Sequence, residues 1–352
     1  MSDYAQKRDV ADPRTVASFV RIVENPERLR LLLVLTVADI RAVGPGVWNG
    51  WKGQLMRELF GASEAAFRGG RGADPAAAFA RHLESQAAGA RARLIEQDPL
   101  AVDWAAAMED AYFTGFPIEE LVAHAALGRR AAQQGGVAAS GRIREDRNAD
   151  EVVIAARDRR GLFADLALVI AGLGANVVGA KVYTSQSGQA LDVFYVQDSS
   201  GAPFGADSRR ALDRLAEGLE AAGRGEPPSF EANKPMDLGR TAAFAISPTV
   251  AIDNETSEED TVIEASGRDR PGLLEALARA MAEAGISIQS AHIDSYGERA
   301  VDAFYVQIGG GKLTEPRKIA AVRAALLQAL DDSETAPPTK LRLQRARASV
   351  AR

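Results

Sequence analysis

Apolar residues follow one spacing in the first third of the chain and another in the rest. Up to about residue 132 they recur three and four positions apart, which predicts helices throughout. A short helix is expected over 13–23, with Asp12 as its N-cap. The next begins at Pro26 and runs through Leu29, Leu32, Leu33, Leu35 and Ile40; it is apolar almost all round, which predicts a core helix. Gly44, Pro45 and Gly46 end it. Trp48 and Trp51 precede a helix through Leu55 and Leu59, and helices over 75–95, 102–111 and 118–127 follow. Residues 133–150 are Gly, Ala and charge, and are expected to form a linker.

From residue 151 the pattern changes to short β-rich runs between helices, and it occurs twice. RDRRGLF…LDVFYVQ over 157–197 returns as RDRPGLL…VDAFYVQ over 268–307, offset by 111 residues at the start and 110 at the end. In the first copy strands are expected at 151–156, 177–183 and 191–197, with a turn at Ser187 and Gly188. Helices are expected at 162–173, ended by Gly174, and at 208–222, with a fourth strand at 249–253. The second copy repeats this with strands at 261–266, 286–295 and 300–308, turned at Tyr296 and Gly297, helices at 273–284 and 315–330, and a last strand near 341–344. The predicted class is α+β: a helical N-terminal region, 1–132, then two ferredoxin-like βαββαβ units over 151–256 and 257–352. Residues 223–247, rich in proline, join them.

The chain has 352 residues, is 46% hydrophobic and carries a formal charge of −6, which suits packed cores and weighs against general nucleic-acid binding. It has no cysteine, which excludes disulfides and thiolate chemistry and fits a reducing, cytoplasmic setting. No apolar run is long enough to span a bilayer.

The Asp-Arg-x-Gly-Leu turn of each copy joins a strand end to a helix start, placing Asp158, Gly161 and Leu162, and Asp269, Gly272 and Leu273, at the electropositive helix tip. The aspartate is expected to cap the first helical turn or to meet an ammonium group, and the glycine to let a ligand approach the amides. A zwitterion such as an amino acid carries both charges. Asn176 and its counterpart Ser287 open the next strand and are expected at the same end of the sheet as their turns, where they could contact a ligand. Lys181 and His292 read as solvent-facing strand residues, Tyr195 and Tyr305 as packing residues. Gly69, Gly70, Arg71 and Gly72 lack the Lys-Ser/Thr of a phosphate loop and read as a plain loop. Asp39 stands alone on an apolar helix, to be explained by an ion pair with Arg41, by exposure, or by a metal.

The paired turns, the glycine-ended helices and the D-x-F-Y-V-Q strands resemble ACT domains, and specifically the tandem ACT pair ending the bifunctional uridylyltransferase/uridylyl-removing enzymes. LTVADIRAVGPG resembles the late-aspartate segment of HD-type phosphohydrolases, so the similarity covers the whole chain. It implies a region that senses glutamine and regulates modification of the PII signalling protein, with Mg as the catalytic metal and Asp39 as the one remaining ligand. The His and His-Asp ligands and the nucleotidyltransferase motif are missing: none of His82, His124 and His292 precedes an aspartate, and no complete catalytic set is present. The resemblance thus suggests a C-terminal piece of a longer enzyme, with uncovered apolar surface on its helices. The resemblance also allows a homo-oligomer paired through ACT modules; other readings are a stand-alone amino-acid-binding regulator and RNA binding on sheet aromatics.

Overall fold

The structure is a computed structural model, and it describes residues 1–331 except 11, 45–47, 69–74, 207, 228–245 and 297–298. The stops at Pro45 and Gly46, the Gly69–Gly72 loop, the turn at Gly297, most of 223–247 and the strand near 341–344 lie outside the described residues.

The helical region comprises α1 (Ser2–Lys7), α2 (Pro13–Val23), α3 (Pro26–Val43), α4 (Gly50–Phe67), α5 (Pro75–Gln97), α6 (Val102–Ala107), α7 (Asp110–Thr114) and α8 (Ile118–Gln133). Asp12 caps α2 as expected, accepting from the Arg14 N–H at 2.8 Å. The helix expected over 102–111 is two, because the chain is extended at Met108. The expectation for α3 is corrected. Only Leu29 and Ile40 are buried, and Leu31, Val34, Leu35 and Val43 are exposed. An apolar stripe predicts that a helix can be covered, not which element covers it.

The rest of the chain is β1 (Ala138–Arg144), β2 (Ala149–Arg157), α9 (Leu162–Gly172), β3 (Asn176–Thr184), β4 (Gln189–Gln197), α10 (Arg209–Gly223), β5 (Thr249–Asp253), β6 (Thr261–Arg268), α11 (Leu273–Glu283), β7 (Ser287–Tyr296), β8 (Arg299–Gln307) and α12 (Pro316–Asp331). All eight strands form one antiparallel sheet in the order β1-β2-β4-β3-β7-β8-β6-β5. The two-layer ferredoxin-like plan holds, but the edge strand comes from the other end of each unit. Residues 138–144, expected in a linker, pair with β2 from Ala138 opposite Ala155 to Arg144 opposite Ala149. Residues 249–253, expected to close the first unit, pair with β6 of the second. Each unit is therefore ββαββα, with the edge slot beside its first long strand filled from the N-terminal side. The slot is the same in space, so a count of strands could not tell which end fills it.

Helices α9 to α12 cover one face of the sheet, where Phe194, Val196, Phe304 and Val306 join Leu166, Ile170, Leu277 and Leu326. On the other face of the first unit Leu191, Val193 and Tyr195 pack against Trp51, Leu121 and Ala125 of the helical region. With both faces covered, β4 is buried at every position from Ala190 to Gln197, Asp192 included, rather than at alternate ones. Trp51 stacks at 5.0 Å on Tyr195 and requires glycine at 179, where a Cβ would lie 2.8 Å from its ring. Among the described residues, no helix is long and apolar enough to cross a membrane.

Candidate functional site

Both repeated turns fold alike. Gly161 and Gly272 have φ of +80° and occupy the N-cap positions of α9 and α11, with no side-chain cap. Each is half-buried, while Leu162 and Leu273 anchor the turn in the core. The Leu162 N–H donates to the Arg159 carbonyl and the Leu273 N–H to the Arg270 carbonyl, both at 3.1 Å. Among the described residues no acceptor meets the N–H groups of Phe163, Ala164, Leu274 or Glu275. Two free amides at each positive helix tip suit a carboxylate.

Asp158 does not cap α9, contrary to expectation. It is exposed, its N–H donates to the Gly188 carbonyl at 3.0 Å, and its Oδ2 accepts from the Thr184 hydroxyl at 3.4 Å. The left-handed glycine moves the helix start three residues past the aspartate. Beneath the turns lie Asp192 and Asp302, 1% and 2% exposed, on the strand face that carries Phe194 and Phe304. Oδ1 of each has no hydrogen-bond partner among the described residues. Burial, then repulsion from Asp158, pushes Asp192 up to about 8, and burial with Asp269 and Asp294 raises Asp302. The repeat displayed both aspartates in the D-x-F-Y-V-Q strand; the alternation of that strand was the signal that they face inward.

The expected place of Asn176 is corrected. It pairs with Gln197, at the opposite end of β3 from Thr184, and its Nδ2 reaches the Asp198 carbonyl at 3.5 Å. The reason is topological: α9 carries the chain back along the sheet, so β3 starts at the far end from the turn closing β2. Ser287 is likewise remote from Asp269 and Gly272. The units, however, join antiparallel through β3 and β7, with Gly179 opposite His292 and Lys181 opposite Ser290. That register brings the start of each of these strands to the other unit's turn. Ser287 shares an end of the sheet with Asp158, Gly161 and Leu162, and Asn176 with Asp269, Gly272 and Leu273. The predicted residues are thus distributed as two sets, one at each end of the junction, each combining one unit's turn with the other unit's strand start, three strands away in the sheet order.

Arginines cross the same junction. Arg279 of α11 pairs with Asp165 of α9 at 2.8 Å, and Arg160 reaches the Glu283 carbonyl at 3.5 Å. Sequence reasoning missed them, because they differ between the copies.

Lys181 and His292 are not solvent-facing. Lys181 donates to the Gly115 carbonyl at 3.1 Å and lies over the Phe116 ring, and the His292 ring lies 6.0 Å from that of Tyr305. Tyr195 and Tyr305 pack under the N-terminal helices, and the Tyr305 hydroxyl accepts from the Asp9 N–H at 2.6 Å. With Phe194 and Phe304 buried on the opposite face, these four aromatics offer no platform for stacking RNA bases. Asp39 is exposed, Arg41 lies over the Trp48 ring, and no group of three or more His, Cys, Asp or Glu residues among those described could hold a metal ion. These residues do not fit a magnesium site.

A family model described as ACT domain matches residues 261–316, from β6 into the start of α12. Over 354 residues and its full length, the chain is 66% identical to a bifunctional uridylyltransferase/uridylyl-removing enzyme of Caulobacter vibrioides (strain NA1000 / CB15N), covering 38% of that protein. The enzyme of the same description from Phenylobacterium zucineum (strain HLK1) is 67% identical over 355 residues, with the same coverage. That from Azospirillum brasilense is 42% identical over 339 residues, 94% of this chain and 36% of its own. The chain thus spans well under half the length of these relatives. From end to end it is a relative of the C-terminal part of the bifunctional uridylyltransferase/uridylyl-removing enzymes, and it carries an ACT domain.

Proposed function

We propose that the paired units sense an amino acid, glutamine, and regulate an enzyme that adds uridylyl groups to the PII signalling protein and removes them. The observation that carries this reading is the pair of uncapped helix tips, each with two free amides and a left-handed glycine, set at opposite ends of one inter-unit junction. Asp158, Gly161 and Leu162 with Ser287 form one binding surface; Asp269, Gly272 and Leu273 with Asn176 form the other. The amides receive the carboxylate, and the aspartates the ammonium. Glutamine and the PII partner are proposed from the resemblance of the repeated turns and strands to the tandem ACT pair; the relatives, named for uridylyl transfer and removal, support that direction.

An effector shifts a conformational equilibrium only through unequal affinity for the two states. The β3–β7 junction is where such states would differ, since among the described residues three ladder pairs join the two halves of the sheet there, beside the α9–α11 contact. The helical region touches both: α8 packs on β1 and β2, and α1 on β7. A ligand bridging the units would therefore move or hold the helices. The family's metal chemistry is not assigned to these residues.

Titration calorimetry of the chain with L-glutamine tests the proposal. Saturable binding that raises the melting temperature is expected, worth about 2.7 kcal/mol at a hundred times Kd. No heat and no thermal shift with glutamine, against a clear response to another amino acid, would remove glutamine as effector.

A further inference from the structure

The two composite sites are not alike. At the first, Arg279 holds Asp165 through Nη2 and Glu275 through Nε, each at 2.8 Å. Its Nη1 makes no hydrogen bond among the described residues and stands 3.7 Å from where a Cβ on Gly161 would lie, ordinary contact distance, so the guanidinium edge sits against the turn. Arg160 approaches Gly285 from the other unit, 3.4 Å from its Cβ position. The repeat puts Leu168 where the second unit has Arg279, Ala276 where the first has Asp165, and Pro271 where the first has Arg160. The cross-junction ion pair therefore has no mate at the second site, and among the described residues nothing lies within 4 Å of the Cβ position on Gly272.

A carboxylate at Gly161 would meet the amides of Phe163 and Ala164 and a guanidinium edge already held in place by two carboxylates. Charge-assisted bonds from a fixed fork are the strong ones. A second observation points to a ligand at both turns: Asp192 and Asp302 are buried on the helix-covered face of the sheet, each with Oδ1 unpartnered among the described residues, so it is Arg279 that distinguishes the first. We propose that Arg279 is the carboxylate-recognising residue of the first composite site, and that this site rather than the one at Gly272 takes the α-carboxylate of the effector. The proposal rests on the reading of the paired units as an amino-acid sensor.

Calorimetry of the whole chain with L-glutamine, and with glutamine whose α-carboxylate is replaced by a carboxamide, tests it. For the unaltered chain, one glutamine per chain is expected, bound more tightly than the carboxamide. Arg279→Gln should weaken glutamine binding about tenfold to a hundredfold and erase the preference for the free carboxylate, and Arg279→Lys should recover part of it. Asp165→Asn breaks the inter-unit ion pair but keeps the guanidinium, and should change affinity by less than about threefold. Equal losses in Arg279→Gln and Asp165→Asn would overturn the proposal in favour of a structural ion pair. Wild-type affinity in Arg279→Gln, or two equal sites per chain, would overturn it as well while leaving the sensor reading intact. An unaltered chain that binds no amino acid removes the sensor reading itself, and this inference with it.

Discussion

Asp192 and Asp302 show how one residue's environment becomes a property of the protein. An ordinary aspartate titrates near 4, whereas burial raises both, Asp192 to about 8. Between those pH values the folded chain keeps protons that the unfolded chain has released, so these groups make stability fall as pH rises. Replacing both with Asn removes the titration and keeps the shape. The double variant should gain on the wild type by about 1–3 kcal/mol as pH rises from about 5 to about 8. Melting temperatures across that range check this, and a gap independent of pH contradicts it. The position of the turns was legible in the sequence, since Asp-Arg-x-Gly-Leu stands between a strand and a helix in both copies; the left-handed backbone of Gly161 and Gly272 came from the structure. The role of Asp158 was not legible, because a cap depends on which residue starts the helix, and the glycine moved that start.

At the scale of elements, β1 is the strand that residue types concealed. Its sequence, AASGRIR, reads as a linker, yet its charges are what the fold uses. Arg142 and Arg144 lie between Glu120 of α8 and Glu151 of β2, two carboxylates only 2% exposed. Burial, then repulsion from Glu120, raises the pKa of Glu151. Arg144→Ala would leave two buried acids sharing one guanidinium, and should cost about 3 kcal/mol by urea denaturation. A loss below about 1 kcal/mol would show that the network is solvated. Gly141 marks the same strand: a Cβ there would lie 2.6 Å from Leu212, so α10 packs directly on its backbone. A lone glycine in an apparent linker signals flexibility only until a helix is seen to sit on it.

Across the whole molecule, the N-terminal segment ties the helical region to the second unit. Asp12 accepts from the Arg14 N–H with Oδ1, and with Oδ2 from the Ser257 hydroxyl and, at 3.0 Å, from the Glu258 N–H. Arg14 meanwhile reaches the Ser257 carbonyl at 3.3 Å. Asp12→Ala should cost about 1–2 kcal/mol and speed amide exchange in residues 253–260 more than in β1; equal protection in both would mean that this tie is not used. Such ties join residues some 245 positions apart, and no local pattern carries them. The sequence by itself determined the α+β class, the duplication, the place of the repeated turns and the helix and strand periods, because each follows from short-range sterics and from burial of one face. Only the tertiary structure decided which strand fills each edge slot, which unit's strand start meets which turn, and where the arginines cross. Those depend on strand direction and on long-range pairing, which alternating apolar residues permit in several arrangements.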